Sequence, residues 1–186
     1  MLSNQIYKPK PDHDFMTDEA LMEDVLNGDL DKVAVIYERY KKPLFNYFLR
    51  FGVDKDSCRD LTQQVFYRII HYRNSYKNQH GFRSWIYRIA RNIFLDFLKE
   101  SGIKMNDIDD HHEIAEEAPN DEEQHILIRK ALQSIHNDYR EVLMMSGYEE
   151  LKYEEIAVVL NISVALVKVR VHRGLKELKK EYEKLS

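Results

Sequence analysis

Apolar positions recur at helical spacing along most of the chain. Leu21 and Val25 sit four apart behind Thr17, Asp18 and Glu19, which predicts a short first helix capped by Thr17 and closed by Gly28. A second stripe (Leu30, Val33, Ile36, Tyr37, Tyr40, Leu44, Phe48) runs to Gly52. Asp54 or Asp56 is placed to cap a third helix with Cys58, Leu61, Val65, Ile69 and Tyr72 inward. After a polar loop at 74–81, a fourth helix turns Phe82, Ile86, Ile89, Ala90, Ile93 and Phe97 to the same core. These four helices are expected to form one small α domain over 15–100.

A second helical unit is expected over 124–184. Ile126, Ile128, Leu132 and Ile135 open it, and Tyr139, Val142 and Leu143 continue it. Then come an apolar run at 153–160, a two-residue connection Asn161-Ile162, and Ser163 as N-cap of a long last helix. Ala157 is small where two helices would cross, and Asn161 tolerates the left-handed conformation of a sharp turn. That order is a helix-turn-helix pattern. Residues 101–123 between the units contain Pro119 and no sustained periodicity, and read as an extended linker. The fold class is therefore all-α: two small helical bundles joined by an acidic linker, the C-terminal one a helix-turn-helix domain. Only 6 glycines and 4 prolines agree with long helices.

Charge changes the picture. Taken at face value, a formal net charge of -4 argues against a nucleic-acid partner. The charge is uneven, however: 66–104 carries eight bases against two acids, and 163–186 seven against three, whereas 106–123 holds nine acids and no base. Two basic segments flank an acidic one. Cys58 is the single cysteine, which leaves no disulfide framework and no thiolate metal cluster. Residues 1–14 show no signal-peptide core, and no run approaches the roughly 20 apolar residues of a membrane span, so a cytoplasmic chain without direct membrane insertion is expected.

Helical projection assigns faces. On the last helix Val164, Val167, Val171, Leu175 and Leu178 share a stripe expected to be buried. The opposite face carries Ala165, Leu166, Val169, His172, Arg173 and Lys176, flanked by Lys168 and Arg170. Such cations suit phosphates, and outward Leu166 and Val169 suit thymine methyl groups in a major groove; packing against a protein partner is the alternative. On the third helix Asp56, Asp60, Gln63, Gln64, Tyr67 and Ile70 lie away from the core, a mix that suits a protein contact. On the fourth, Arg83, Tyr87, Arg88 and Arg91 point outward with Trp85 at the edge, and the loop before it adds Tyr76, Lys77 and His80. Rings interleaved with cations suit single-stranded nucleic acid; equally, Trp85 and Tyr87 would simply complete a core.

Two motifs in order resemble a known family. Asp60-Leu-Thr-Gln-Gln-Val-Phe66, followed by Phe82-Arg-Ser-Trp-Ile-Tyr-Arg-Ile-Ala-Arg-Asn-Ile-Phe-Leu-Asp96, looks like region 2 of sigma-70 family RNA polymerase sigma factors. Tyr153-Glu-Glu-Ile-Ala157, followed by Val167-Lys-Val-Arg-Val-His-Arg173, looks like region 4, and the absence of further domains points to the extracytoplasmic-function (ECF) type. The resemblance implies a transcription initiation factor, not an enzyme, with no cofactor. Its implied partners are core RNA polymerase, promoter DNA as duplex and as melted single strand, and an anti-sigma factor. Asp56, Asp60, Gln63, Gln64 and Tyr67 would meet the polymerase clamp helices. Asn74, Tyr76, Lys77, Arg83, Trp85, Tyr87, Arg88, Arg91 and Asn92 would read and melt the minus-10 element. Leu166, Lys168, Val169, Arg170, His172, Arg173 and Lys176 would read the minus-35 element. The acidic linker would follow the RNA exit path, its carboxylates mimicking phosphates. Gln64 departs from the usual acid, Leu166 and Val169 from small hydroxyl residues, and Gly174 from the usual Ala, the last at roughly 1 kcal/mol in a helix interior.

Two rival readings are weaker. Asp107, Asp109, Asp110, His111, His112 and Glu113 hold metal-ligand chemistry, but they are consecutive in the least patterned stretch, whereas a catalytic site needs ligands converging from rigid elements. A ligand-sensing or dimeric helix-turn-helix repressor would need a pocket or a self-complementary surface, and the outer face of 56–71 could serve as the latter.

Overall fold

Three hydroxyl or carboxylate side chains start three of the helices. Thr17 Oγ1 accepts from Ala20 N–H at 3.2 Å, Asp54 from the N–H groups of Asp56 and Ser57 at 3.1 and 2.9 Å, and Ser163 from Leu166 at 3.2 Å. Each satisfies a donor that has no partner within its own helix. Asp54, not Asp56, is the cap of the third helix.

A computed structural model describes residues 16–102 and 122–186. Among them are eight α-helices and no strand: α1 (Asp18–Leu26), α2 (Lys32–Arg50), α3 (Lys55–His71), α4 (Gly81–Ser101), α5 (Glu122–Ser134), α6 (Asn137–Gly147), α7 (Tyr153–Leu160) and α8 (Val164–Leu185). A 3-10 turn, Arg73–Ser75, lies between α3 and α4. Most of the acidic linker, including Asp107 to Glu113, lies outside the described residues.

Helices α1–α4 bury one face each. Leu21, Val25, Ile36, Leu44, Phe48, Cys58, Val65, Ile69, Phe82, Ile86, Ala90 and Phe94 form their shared centre. Asp18 ties α1 to α2 by accepting from Arg39 at 2.7 Å and from the Tyr40 hydroxyl at 2.5 Å. Leu30, Tyr37 and Tyr72, placed inward by the helical projection, are largely exposed. Leu30 precedes α2 and Tyr72 follows α3, so neither obeys the helix period; Tyr37 still lays its edge on Phe66 at 4.8 Å.

The second unit packs α5 and α6 against α8, with α7 beside it. The apolar pattern that opens this unit is broken after Ser134, at Ile135-His136, where His136 Nδ1 accepts from Asp138 N–H and begins α6. The inner line of α8 is Val167, Val171 and Gly174 rather than the full valine and leucine stripe. Leu175 is 54% exposed because it lines an open groove of about 660 Å³ with Ile128, Leu132, Leu143, Leu151 and Leu178.

Gly174 is where α8 meets α6. A Cβ built there would stand 3.0 Å from Tyr139 Cβ and 3.2 Å from Leu143 Cδ1. Alanine would gain roughly 1 kcal/mol of helix propensity but overpack the contact at a cost of roughly 1–3 kcal/mol. Gly174→Ala should therefore fail to raise the melting temperature, and a stabilised variant would show that the helices can part freely.

Candidate nucleic-acid interface

The turn between α7 and α8 fixes the orientation of the last helix. Asn161 adopts φ 54° and ψ 48°, and Ile162 N–H returns to the Ala157 carbonyl at 3.0 Å. With α8 seated on its inner line, Leu166 and Val169 are 39% and 43% exposed, and Lys168, His172, Arg173 and Lys176 are exposed around them. Arg170 is different: it is half-buried and reaches Asp138 at 2.5 Å, so it braces α8 on α6.

The outer face of α3 is open. Asp56, Asp60, Gln63, Gln64 and Tyr67 are all exposed, Tyr67 by 68%. Tyr67 stacks on His71, one helical turn on, with ring centroids 5.8 Å apart.

The loop before α4 is held by aromatic rings. Phe82 is fully buried and contacts Tyr40, Tyr76 and Trp85 at centroid distances of 5.4, 6.1 and 6.0 Å. Tyr76 also meets Trp85 at 5.2 Å. Across this loop, Glu19 of α1 accepts from Phe82 N–H at 3.0 Å and so satisfies the first turn of α4, where His80 supplies no side-chain cap. Gly81, at φ 75°, permits that entry where a side chain would be strained. Burial pushes the Tyr76 hydroxyl up to about 12.

Of the residues expected at this surface, Asn74, Lys77, Arg88 and Asn92 are exposed, and Trp85, Arg83 and Arg91 are half-buried. Tyr76 and Tyr87 are buried, which corrects the outward placement of Tyr87 from the helical projection. Tyr76 is covered by its own loop. Tyr87 is covered from within its own bundle by the Tyr47 ring, 5.6 Å away between centroids, and from outside by the second unit, where α7 packs on α4 and Glu149 takes the Tyr87 hydroxyl.

On the side of the second unit that contact is made by groups the sequence did not single out. Glu149 accepts from the Tyr87 hydroxyl at 2.6 Å and from Arg50 at 2.9 Å, while its backbone carbonyl accepts from Arg83 at 2.6 Å. Glu141 takes both arms of Arg91, at 2.5 and 3.2 Å. Arg50 also lies over the Tyr148 ring at 4.8 Å. The Glu149 and Glu141 side chains are only 4% and 7% exposed. Burial pushes the Glu149 carboxyl above the usual carboxylate range, opposed by the Tyr87 hydrogen bond, Arg50 and Arg83. A hydrophobic projection of one helix bundle has no means of showing a cover supplied by another. The available signal was two glutamates eight residues apart around the apolar run Val142-Leu143-Met144-Met145.

Among the described residues no group of three or more His, Cys, Asp and Glu side chains is arranged to hold a metal ion, and no helix is long and apolar enough to cross a membrane.

Comparison with known proteins adds independent findings. Residues 36–102 match the family model for Sigma-70 region 2, and 125–178 match that for Sigma-70, region 4. The chain is 32% identical over 151 residues to RNA polymerase sigma factor SigZ of Bacillus subtilis, covering 80% of this chain and 85% of SigZ. It is 28% identical over 176 residues to the ECF RNA polymerase sigma factor SigW of the same organism, covering 87% and 94%. Its fold is similar to that of CnrH, solved in complex with the cytosolic domain of CnrY, with a TM-score of 0.71 at 19% identity over 91% of this chain and 99% of CnrH.

Proposed function

Because the chain belongs to the sigma-70 family of RNA polymerase sigma factors, in its ECF subfamily, we propose that it binds core polymerase, brings it to promoters with a particular pair of elements, and assists their melting. The observation that most supports this reading is the reading face of α8: exposed Leu166 and Val169 ringed by Lys168, His172, Arg173 and Lys176, on a helix set by a left-handed Asn161 turn. Cations there fix register on the phosphates while the apolar pair discriminates bases in the major groove of the minus-35 element.

On the same reading, α4 and the loop before it take the minus-10 element, with Asn74, Lys77, Arg88 and Asn92 at the accessible rim and Trp85 packed at the edge of the ring cluster. Cations track the strand while rings stack on unpaired bases. Holding bases out of the duplex in this way supplies the free energy of melting without any catalytic group. The outer face of α3 meets the polymerase clamp helices. An anti-sigma factor is a further partner on this reading, as NepR is for the sigma factor RpoE of Bartonella quintana, a solved structure of similar fold.

The polymerase contact is testable directly. Asp60→Arg with Gln63→Ala on the exposed face of α3 should reduce affinity for core enzyme by at least about tenfold, within the range of about 1–3 kcal/mol for central contact residues. Co-purification and equilibrium binding with core polymerase measure it. Unchanged affinity would remove α3 from the interface.

A further inference from the structure

We propose that Leu166 and Val169 read thymine methyl groups: two neighbouring A·T pairs of the upstream element are recognised by their 5-methyl carbons rather than by hydrogen bonds. This rests on the reading of α8 as the helix that enters the major groove.

The side chains of α8 leave little else to read with. Leu166 and Val169 are the third and sixth residues of the helix, in the N-terminal part that a helix-turn-helix turns to the base edges. Both are exposed, as is Ala165 beside them. From Val164 to Lys176 the helix holds no amide, no hydroxyl and no carboxylate side chain. The paired hydrogen bonds of Asn or Gln to adenine are therefore missing, and so is an Asp or Glu to accept from the cytosine amine. Cations remain, which suit phosphates and guanine, together with an apolar surface whose match on a base edge is the thymine methyl. Arg170 is withdrawn from this face by its pair with Asp138.

Spacing sets how many bases are read. Side chains at i and i+3 have Cβ atoms roughly 5–6 Å apart, wider than the roughly 3.4 Å step between stacked base pairs. Leu166 and Val169 therefore bear on two neighbouring pairs, not one. A protein surface is the other occupant an exposed apolar pair could have. The rim favours DNA: Lys168, Arg173 and Lys176 are exposed around the pair, and α8 carries no acid before Glu177.

Neither side chain distinguishes which base carries the methyl. 5-Methylcytosine should be accepted in place of thymine. Uracil keeps every hydrogen-bonding group of thymine and should be refused. Methylation of a cytosine at either position would accordingly create a contact that the unmethylated base lacks.

The test uses holoenzyme assembled from core polymerase and the full-length chain. A duplex pool randomised over the upstream element is selected for binding, and the selected duplex is remade with single replacements. Deoxyuridine at either of two adjacent thymines should weaken binding roughly fourfold, the worth of one buried methyl. A pair of 5-methylcytosine with guanine should bind there as the thymine pair does, and plain cytosine as weakly as uracil. The uracil penalty should stay constant as salt is raised, although every affinity falls, because a methyl contact releases no counterion. Leu166→Ala should abolish the penalty at one thymine and Val169→Ala at its neighbour, the fold being kept by buried Val167, Val171 and Gly174. Deoxyuridine tolerated at every thymine, or penalties that survive both Ala variants, would overturn methyl reading while leaving α8 in the groove. If the Ala variants instead weaken binding to core enzyme and spare the duplex, the pair packs on protein and the proposal fails. Selection with no upstream preference at all would remove the minus-35 assignment itself, and this proposal with it.

Discussion

Replacing Phe82 by Ala should cost about 3–5 kcal/mol of stability, the range for truncating a large buried aromatic. Phe82 is fully buried and is the ring on which Tyr40, Tyr76 and Trp85 converge. Its backbone N–H is also the donor through which Glu19 fixes the start of α4. Truncation therefore opens a cavity and loosens the loop that presents Asn74 and Lys77 together. Thermal unfolding should shift down by at least about 12 °C, taking about 4 °C per kcal/mol for a unit of this size. Permanganate reactivity of promoter thymines should fall with it. Phe82→Leu should cost less than the Ala variant because it leaves a smaller cavity. An Ala variant that melts with the native chain would mean that the rings do not organise the loop.

The second large effect is expected on α8. Changing Lys168, Arg173 and Lys176 together to Ala removes three exposed cations from the reading face without touching the buried line of Val167, Val171 and Gly174. If each meets one phosphate, the slope of log affinity against log salt should flatten by about 2.7, from about 0.9 per contact on duplex DNA. Fold and stability should be little changed, because surface substitutions away from packed contacts stay within about 0.5 kcal/mol. Titration of a promoter duplex at several salt concentrations measures the slope. A slope equal to that of the native chain would show that these cations face solvent in the complex. Arg170 is left out deliberately, since its pair with Asp138 holds α8 to α6.

Much of the fold could be read from local chemistry. Thr17, Asp54, Asn161 and Ser163 act where a cap or a left-handed turn is needed, because such roles depend on a residue and the backbone within three positions of it. The family, too, was legible in two motifs. Residues beyond helix ends were misplaced: Leu30 and Tyr72 continue an apolar pattern that the backbone does not. Gly174 looked like a pure helix penalty until its approach to Tyr139 came into view. The inter-unit contact was illegible for a stronger reason. Helical projection asks which face meets the core of its own bundle, and Tyr87 and Arg91 pass that test as outward residues. Their partners are Glu149 and Glu141, some fifty to sixty residues away in sequence. Pairing over that separation leaves no periodic trace.

These particulars converge on one claim: the chain confers promoter choice on a polymerase that lacks it. Run-off transcription tests that claim most directly, with purified core enzyme and a genomic promoter library, with and without the full-length chain. The account predicts discrete transcripts that appear only when the chain is added, from templates sharing an upstream and a downstream element at fixed spacing. Core enzyme that initiates no better with the chain than without it would contradict the account.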